Sequence, residues 1–149
     1  MTKLLMVCLG NICRSPLAQG ILESKLSSKD YLVDSAGTAA YHVGENPDPR
    51  SIDIAHQNSI DISKQRARQF TVKDFDDFDI IYAMDQSNFN NIINLARNDK
   101  DIAKVKLILD ENKFVINKNV PDPYYGGVDG FKEVFELLEE SCSNIANSI

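Results

Sequence analysis

Near its start the chain carries an uninterrupted apolar run, Leu4-Leu5-Met6-Val7, with no polar residue alternating through it. A strand of that kind has no face to give to water, which is the habit of central strands in parallel sheets covered on both sides. Parallel neighbours need long crossovers, and the rest of the sequence offers them. A helix is predicted from Ser15-Pro16 to about residue 25, with Pro16 in the first turn, where a missing N–H costs nothing. Further strands are predicted over 31–35, leading into Ser35-Ala36-Gly37-Thr38, over 79–84 and over 105–109. Residues 39–49 read as a loop, and Asp48-Pro49 as the N-cap and first position of a helix to about residue 58. Residues 86–96 read as helical. From Gly130 onward Phe131, Val134, Phe135, Leu138, Cys142, Ile145 and Ile149 fall on one helical face. Strands alternating with helices predict an α/β three-layer sandwich around a parallel sheet. Its 149 residues suit a single domain.

Charge removes several functions. The net charge is −6, and the densest basic run is Lys64, Arg66 and Arg68, too little to grip a nucleic-acid backbone. A phosphate-bearing substrate would have to find its positive field in local groups rather than in the whole protein. The apolar run at 4–7 is far too short for a secretory or membrane-spanning segment. Three cysteines make no disulfide framework, and Cys8 and Cys13 lack the tight pairs of a zinc site. A reducing, cytoplasmic setting is expected.

The chemistry concentrates in the turn after the first strand, Cys8-Leu9-Gly10-Asn11-Ile12-Cys13-Arg14-Ser15-Pro16. Successive backbone amides in such a turn converge into an anion-binding nest, and the helix start adds donors and the positive end of a dipole. Gly10 and Asn11 suit the positive φ angles that a cradle requires. Arg14 can hold two phosphate oxygens through its planar fork, which a lysine lacks. The same donors should lower the pKa of Cys8 and leave it largely thiolate, a nucleophile placed to attack phosphorus. Ser15 is a hydrogen-bond donor for the sulfur as it leaves again.

This run resembles the signature of the low-molecular-weight protein tyrosine phosphatases. The resemblance extends over essentially the whole chain, through Ser35-Ala36-Gly37-Thr38, Ala67-Arg68-Gln69, Ala83-Met84-Asp85 and Pro121-Asp122-Pro123-Tyr124-Tyr125. It implies a four-stranded parallel sheet with flavodoxin-like winding and a two-step reaction through a phosphocysteine intermediate. No metal or organic cofactor is expected.

Tyrosinate leaves readily only if a proton arrives as the P–O bond breaks, so an acid is needed. His42 and His56 sit in no suggestive motif, but the chain holds two Pro-Asp-Pro triplets. Helix capping accounts for Asp48. Asp122 lies in a long loop beside Tyr124, Tyr125 and two glycines, where aromatic rings can wall a cleft for a phenyl group. The family's proton donor sits in a matching Asp-Pro loop, and the resemblance assigns that role to Asp122.

The resemblance also implies that Asn11 holds an unusual backbone conformation through hydrogen bonds, one of them to Ser35. Many relatives place a histidine before the Arg66-Ala67-Arg68-Gln69 segment; here Gln65 stands in that place. Ile12 and Tyr41 match positions lining the substrate entrance beside Tyr124. Cys13 is a candidate for a reversible disulfide with Cys8, and Asp85, ending a strand near the site, is a candidate support for the phosphate-binding residues.

Expected partners are tyrosine-phosphorylated proteins or small aryl phosphates, met by a monomer or weak dimer, with neither nucleic acid nor membrane. Arsenate reduction by a cysteine relay is disfavoured, because no cysteine lies between Cys13 and Cys142. Arginine-phosphate hydrolysis is the nearer rival; relatives with that activity tend to carry threonine where this chain has Ile12. A phosphate-binding module without turnover would need neither thiolate nor acid, so the joint presence of Cys8, Arg14 and Asp122 argues against it.

Overall fold

In a computed structural model, which describes residues 1–125 and 127–149, the apolar run forms the middle of β1 (Thr2–Cys8). The side chains of Tyr125 and Val128 are not described, so the cleft wall expected of Tyr125, with Gly126, lies outside the described residues. β1 pairs in parallel with β2 (Tyr31–Gly37) on one side and with β3 (Ile80–Ala83) on the other. β4 (Val105–Leu107) adds to β3, and the four-stranded order is β2-β1-β3-β4. This is the flavodoxin-like parallel arrangement.

The side chains of β1 explain the layering. Leu4, Met6 and Cys8 join one buried cluster with Leu17 and Ile21 of α1 (Arg14–Lys25) and with Val134, Leu138, Cys142 and Ile145 of α6 (Gly127–Ser148). Leu5 and Val7 join a second cluster with Phe75, Ile81 and Ile92. A fully buried Leu or Ile stabilises the fold by about 1.5–3 kcal/mol relative to exposure, so two-sided burial makes β1 the mechanical centre of the sheet. Among the described residues no helix is long and apolar enough to cross a membrane.

Asp48 caps α2 (Pro49–Gln57), its carboxylate accepting from the Arg50 N–H, with Pro49 in the first turn as expected. Several boundaries differ from expectation. β2 continues past residue 35 to Gly37, which is the register partner of Cys8. The strand expected to reach 109 ends at Leu107; residues 108–111 wind into a tight 3₁₀ turn that tucks Ile108 and Leu109 under the sheet. An apolar run looks alike in a strand and in a buried turn. The helix expected over 86–96 spans Gln86–Ile93 (α4), after which the amides of Leu95 and Ala96 bond carbonyls three residues back. The last helix starts at Gly127 rather than Gly130. Two short helices, α3 (Asp74–Asp77) and α5 (Asp99–Ala103), went unpredicted because their charged sequences carry no apolar period.

The sheet order turns back between β1 and β3, and in open parallel sheets ligands sit beyond the carboxyl ends of the strands at that point. Cys8 is the last residue of β1.

Candidate active site

Between Cys8 and Arg14, where α1 begins, the chain turns through Asn11 at φ 58°. Its carbonyls are tied outward. The Thr38 and Ala39 amides donate to the carbonyls of Cys8 and Leu9, each at 2.9 Å, and the Asp48 amide donates to that of Ile12 at 2.7 Å. The Ser51 hydroxyl donates to the Cys13 carbonyl at 3.2 Å. In a planar trans peptide the next N–H points opposite to the carbonyl. The amides of Leu9, Gly10, Cys13 and Arg14 are thereby turned to the inner side of the turn, as an anion cradle requires.

Two donors serve the sulfur. The Asn11 amide approaches Cys8 Sγ at 3.2 Å, and Ser15 Oγ lies 3.0 Å from it. Ser15 Oγ already accepts from Asn11 Nδ2 at 2.8 Å, which leaves its own hydrogen for the sulfur. Asn11 is fixed at both ends of its side chain: Nδ2 also donates to Ser35 Oγ at 2.9 Å, and Oδ1 accepts from the Arg68 amide at 3.0 Å. These bonds account for a left-handed residue that is not glycine. Gly10 has no positive φ, contrary to expectation. Its small size has another use: a Cβ there would come within 3.0 Å of the His42 ring.

Gln65, in the place of the relatives' histidine, bonds outside this network. It donates to the Pro16 carbonyl at 3.2 Å, and its own side-chain oxygen is buried without a partner among the described residues. Gln19, one turn along α1, joins the network instead, accepting from Ser35 Oγ at 2.7 Å. Sequence reading missed Gln19, since nothing about a polar residue within a helix marks its partner in another strand. It also missed the fit at Gly37, where a Cβ would lie 2.7 Å from the Leu9 carbonyl oxygen and 3.1 Å from the Asn11 nitrogen. Gly37→Ala is therefore expected to push the turn out of shape and lower kcat/KM on an aryl phosphate by about 100-fold. Steady-state kinetics beside a thermal melt would check this, and unchanged kinetics would mean that the turn has slack.

Arg14 is buried, with a side-chain exposure of 4%. Its NH1 donates to Asp85 Oδ2 at 2.6 Å and to the Val120 carbonyl at 3.1 Å. Asp85 has two tasks, because its other oxygen caps α4 through the Asn88 amide at 2.7 Å. NH2 of Arg14 lies 3.8 Å from Asp122 Oδ2, beyond hydrogen-bond reach. Burial acts to lower the guanidinium pKa, but Cys8, Asp85 and Asp122 outweigh it and hold the group above its ordinary value, firmly charged. Burial, and then the charges of Asp48, Cys8 and Asp122, push the Cys13 thiol up to about 12. Cys8 and Cys13 are both free thiols, and a protonated Cys13 is a slow attacker in disulfide exchange.

Asp122 is exposed; its Oδ1 accepts from the Tyr124 amide at 3.1 Å. Leu9, Tyr41 and Tyr124 are exposed, Tyr41 at 75%. Ile12 is buried instead, in a cluster with Cys13, Ala67 and Phe131. The structure thus brings together the Cys8 sulfur with its two donors, the buried Arg14 guanidinium and, 3.8 Å from that guanidinium, the Asp122 carboxyl.

Comparison with known proteins agrees with this geometry. The family model described as low molecular weight phosphotyrosine protein phosphatase matches residues 3–149. A low molecular weight phosphotyrosine protein phosphatase of Schizosaccharomyces pombe is 41% identical, over 99% of this chain and 96% of its own. The crystal structure of a protein tyrosine phosphatase from Entamoeba histolytica with Hepes in the active site superposes with a TM-score of 0.93 at 35% identity, covering 97% of this chain and 94% of that one. A Drosophila arginine phosphatase structure superposes at 0.89 with 30% identity, over 99% of this chain and 97% of that one. The match spans nearly the full length, and the chain belongs to the low molecular weight phosphotyrosine protein phosphatase family.

Proposed function

We propose that residues 1–149 act as one phosphatase domain that hydrolyses phosphotyrosine in cytoplasmic proteins through a phosphocysteine intermediate. The observation that carries this reading is the sulfur of Cys8 held between the Asn11 amide and the Ser15 hydroxyl, in a turn whose Cys8, Leu9, Ile12 and Cys13 carbonyls are bonded by residues outside it.

In the first step the Cys8 thiolate attacks phosphorus, the bond from phosphorus to the phenolic oxygen breaks, and Asp122 gives its proton to that oxygen. In the second step Asp122, now a carboxylate, takes a proton from water as the water attacks the phosphocysteine. The P–S bond breaks, and the departing sulfur accepts hydrogen bonds from Asn11 and Ser15. Arg14 and the inward amides hold the equatorial oxygens throughout, donors already in place before charge shifts. Asp85 and the Val120 carbonyl occupy NH1 of Arg14, which leaves the remaining donors of the fork for the phosphate oxygens.

The exposed rings of Tyr41 and Tyr124 support an aryl substrate, which can stack where a seryl phosphate cannot. A second reading, arginine-phosphate hydrolysis, is kept open by the likeness to the Drosophila arginine phosphatase. Phosphate released from matched phosphotyrosine, phosphoserine and phosphoarginine peptides decides between them. The phosphotyrosine peptide is expected to lead by at least about tenfold in kcat/KM, and a lead for phosphoarginine would replace this reading with the second. Asp122→Ala is expected to lower kcat/KM on the phosphotyrosine peptide by about 10²–10³-fold. Full activity in that variant would remove Asp122 from the mechanism.

A further inference from the structure

The proposed acid sits on the least supported part of the site. Asp122 is exposed, and among the described residues its Oδ1 bonds within its own loop, to the Tyr124 amide. Its nearest approach to Arg14 is too long for a hydrogen bond. Upstream of Asp122 the loop is tied through Val120, whose carbonyl accepts from Arg14 and whose amide donates to the Met84 carbonyl; downstream of Asp122 the second Pro-Asp-Pro triplet supplies the tie.

Arg50, just past that triplet, is gripped by Asp48. Nε donates to Asp48 Oδ1 and NH2 to Oδ2, each at 3.0 Å. Capping of α2 uses Oδ1, through the Arg50 amide, and among the described residues the second oxygen is engaged by the guanidinium alone. NH2 of Arg50 also donates to the Tyr124 carbonyl at 3.1 Å. The guanidinium carbon stands 4.5 Å from the centre of the Phe131 ring and 5.6 Å from that of Tyr124. Asp48 is itself buried and fastened to the phosphate-binding turn, its amide donating to the Ile12 carbonyl at 2.7 Å. The connection runs Ile12, Asp48, Arg50, Tyr124, Asp122. It joins the turn that holds the nucleophile to the loop that holds the acid, and one guanidinium spans the gap.

We propose that Arg50, fixed by Asp48, is the positioning residue for the general acid, holding the Asp122 loop at the mouth of the phosphate-binding turn. This rests on the reading of Asp122 as proton donor. A lysine at position 50 would keep the charge but could not reach both oxygens of Asp48 and the Tyr124 carbonyl with one planar group. The Asp48 carboxyl is held below its ordinary range: burial acts to raise it, and the bonds and charge of Arg50 outweigh that.

A residue that acts through a proton donor must matter in proportion to the need for the proton. Phenyl phosphate needs one, since phenol resembles tyrosine with a pKa of about 10. 2,4-Dinitrophenyl phosphate does not, because its leaving group is stable as an anion. Arg50→Ala is expected to lower kcat/KM on phenyl phosphate by about 10–100-fold, since a displacement of about 1 Å can cost that much. On the dinitrophenyl ester the loss is expected to stay within about threefold, with competitive inhibition by inorganic phosphate unchanged. Arg50→Lys should fall between Arg50→Ala and wild type. Arg50→Ala combined with Asp122→Ala should lose no more than Asp122→Ala alone, as residues acting as one unit do.

Equal losses on both esters, or losses that multiply in the double variant, would overturn the proposal. If Arg50→Ala does not fold, the two esters are compared in Arg50→Lys, and equal losses there overturn it equally. If Asp122→Ala discriminates between the esters and Arg50→Ala does not, the positioning role fails while the acid stands. If Asp122→Ala treats both alike, the acid assignment fails and takes the positioning role with it.

Discussion

Cys8→Ser is expected to lose turnover of para-nitrophenyl phosphate by about 10⁴-fold or more, the scale seen when a covalent nucleophile is removed. The same variant is expected to bind inorganic phosphate within a few-fold of wild type. The two halves of this expectation have separate origins. A serine hydroxyl stays protonated at neutral pH and is a poor nucleophile toward phosphorus, even with the Asn11 amide and Ser15 hydroxyl beside it. Binding depends on the inward amides and on Arg14, and the tethers that orient them run from Thr38, Ala39, Asp48 and Ser51 to backbone carbonyls, none of them through sulfur. Steady-state turnover together with calorimetric titration of phosphate measures both. A Cys8→Ser enzyme with substantial activity would sink the covalent mechanism. An inactive variant that no longer bound phosphate would show that the sulfur also shapes the turn.

Arg14→Lys carries the second largest expected effect, a loss of about 10³-fold or more in kcat/KM, the range associated with a single arginine on a transferring phosphoryl group. Charge is retained, so the loss measures geometry. In the native site NH1 is committed to Asp85 and the Val120 carbonyl, and the rest of the guanidinium can face the phosphate oxygens at the same time. An ammonium is a single point. Bonded to Asp85 it withdraws from the substrate; turned to the substrate it leaves Asp85, whose side chain is only 21% exposed, without its cation. A variant within about tenfold of wild type would show that charge suffices and that the fork is incidental.

The sequence was most legible where one stretch of chain makes its own structure. The two-sided burial of Leu4 to Val7, the Pro16 helix start and the Asp48 cap are local physics, and each appears in the fold. The phosphate-binding turn belongs with them, since its residues lie between one strand and the next helix. Legibility failed where a role depends on a distant partner. Val120 gives Arg14 nothing but a backbone carbonyl from 106 residues away, which no side-chain pattern can announce. Arg50 was passed over because capping already explained its neighbour Asp48, and its bond to Tyr124 spans 74 residues. Gln65 was singled out because it stands where many relatives have a histidine, while Gln19 is the amide that bonds Ser35, and position along the chain does not tell the two apart.

The wide spacing of Arg14's partners has a consequence for how the protein is made. The ribosome delivers the reactive sulfur among the first residues, but Asp85 comes 71 residues after Arg14 and Val120 a further stretch on, at 106. At ordinary rates of synthesis that delay is on the order of ten seconds. During it a nascent chain owns the thiol and the guanidinium but lacks the oxygens that aim one over the other. A chain released before Val120 is therefore a bearer of the signature without the means to use it.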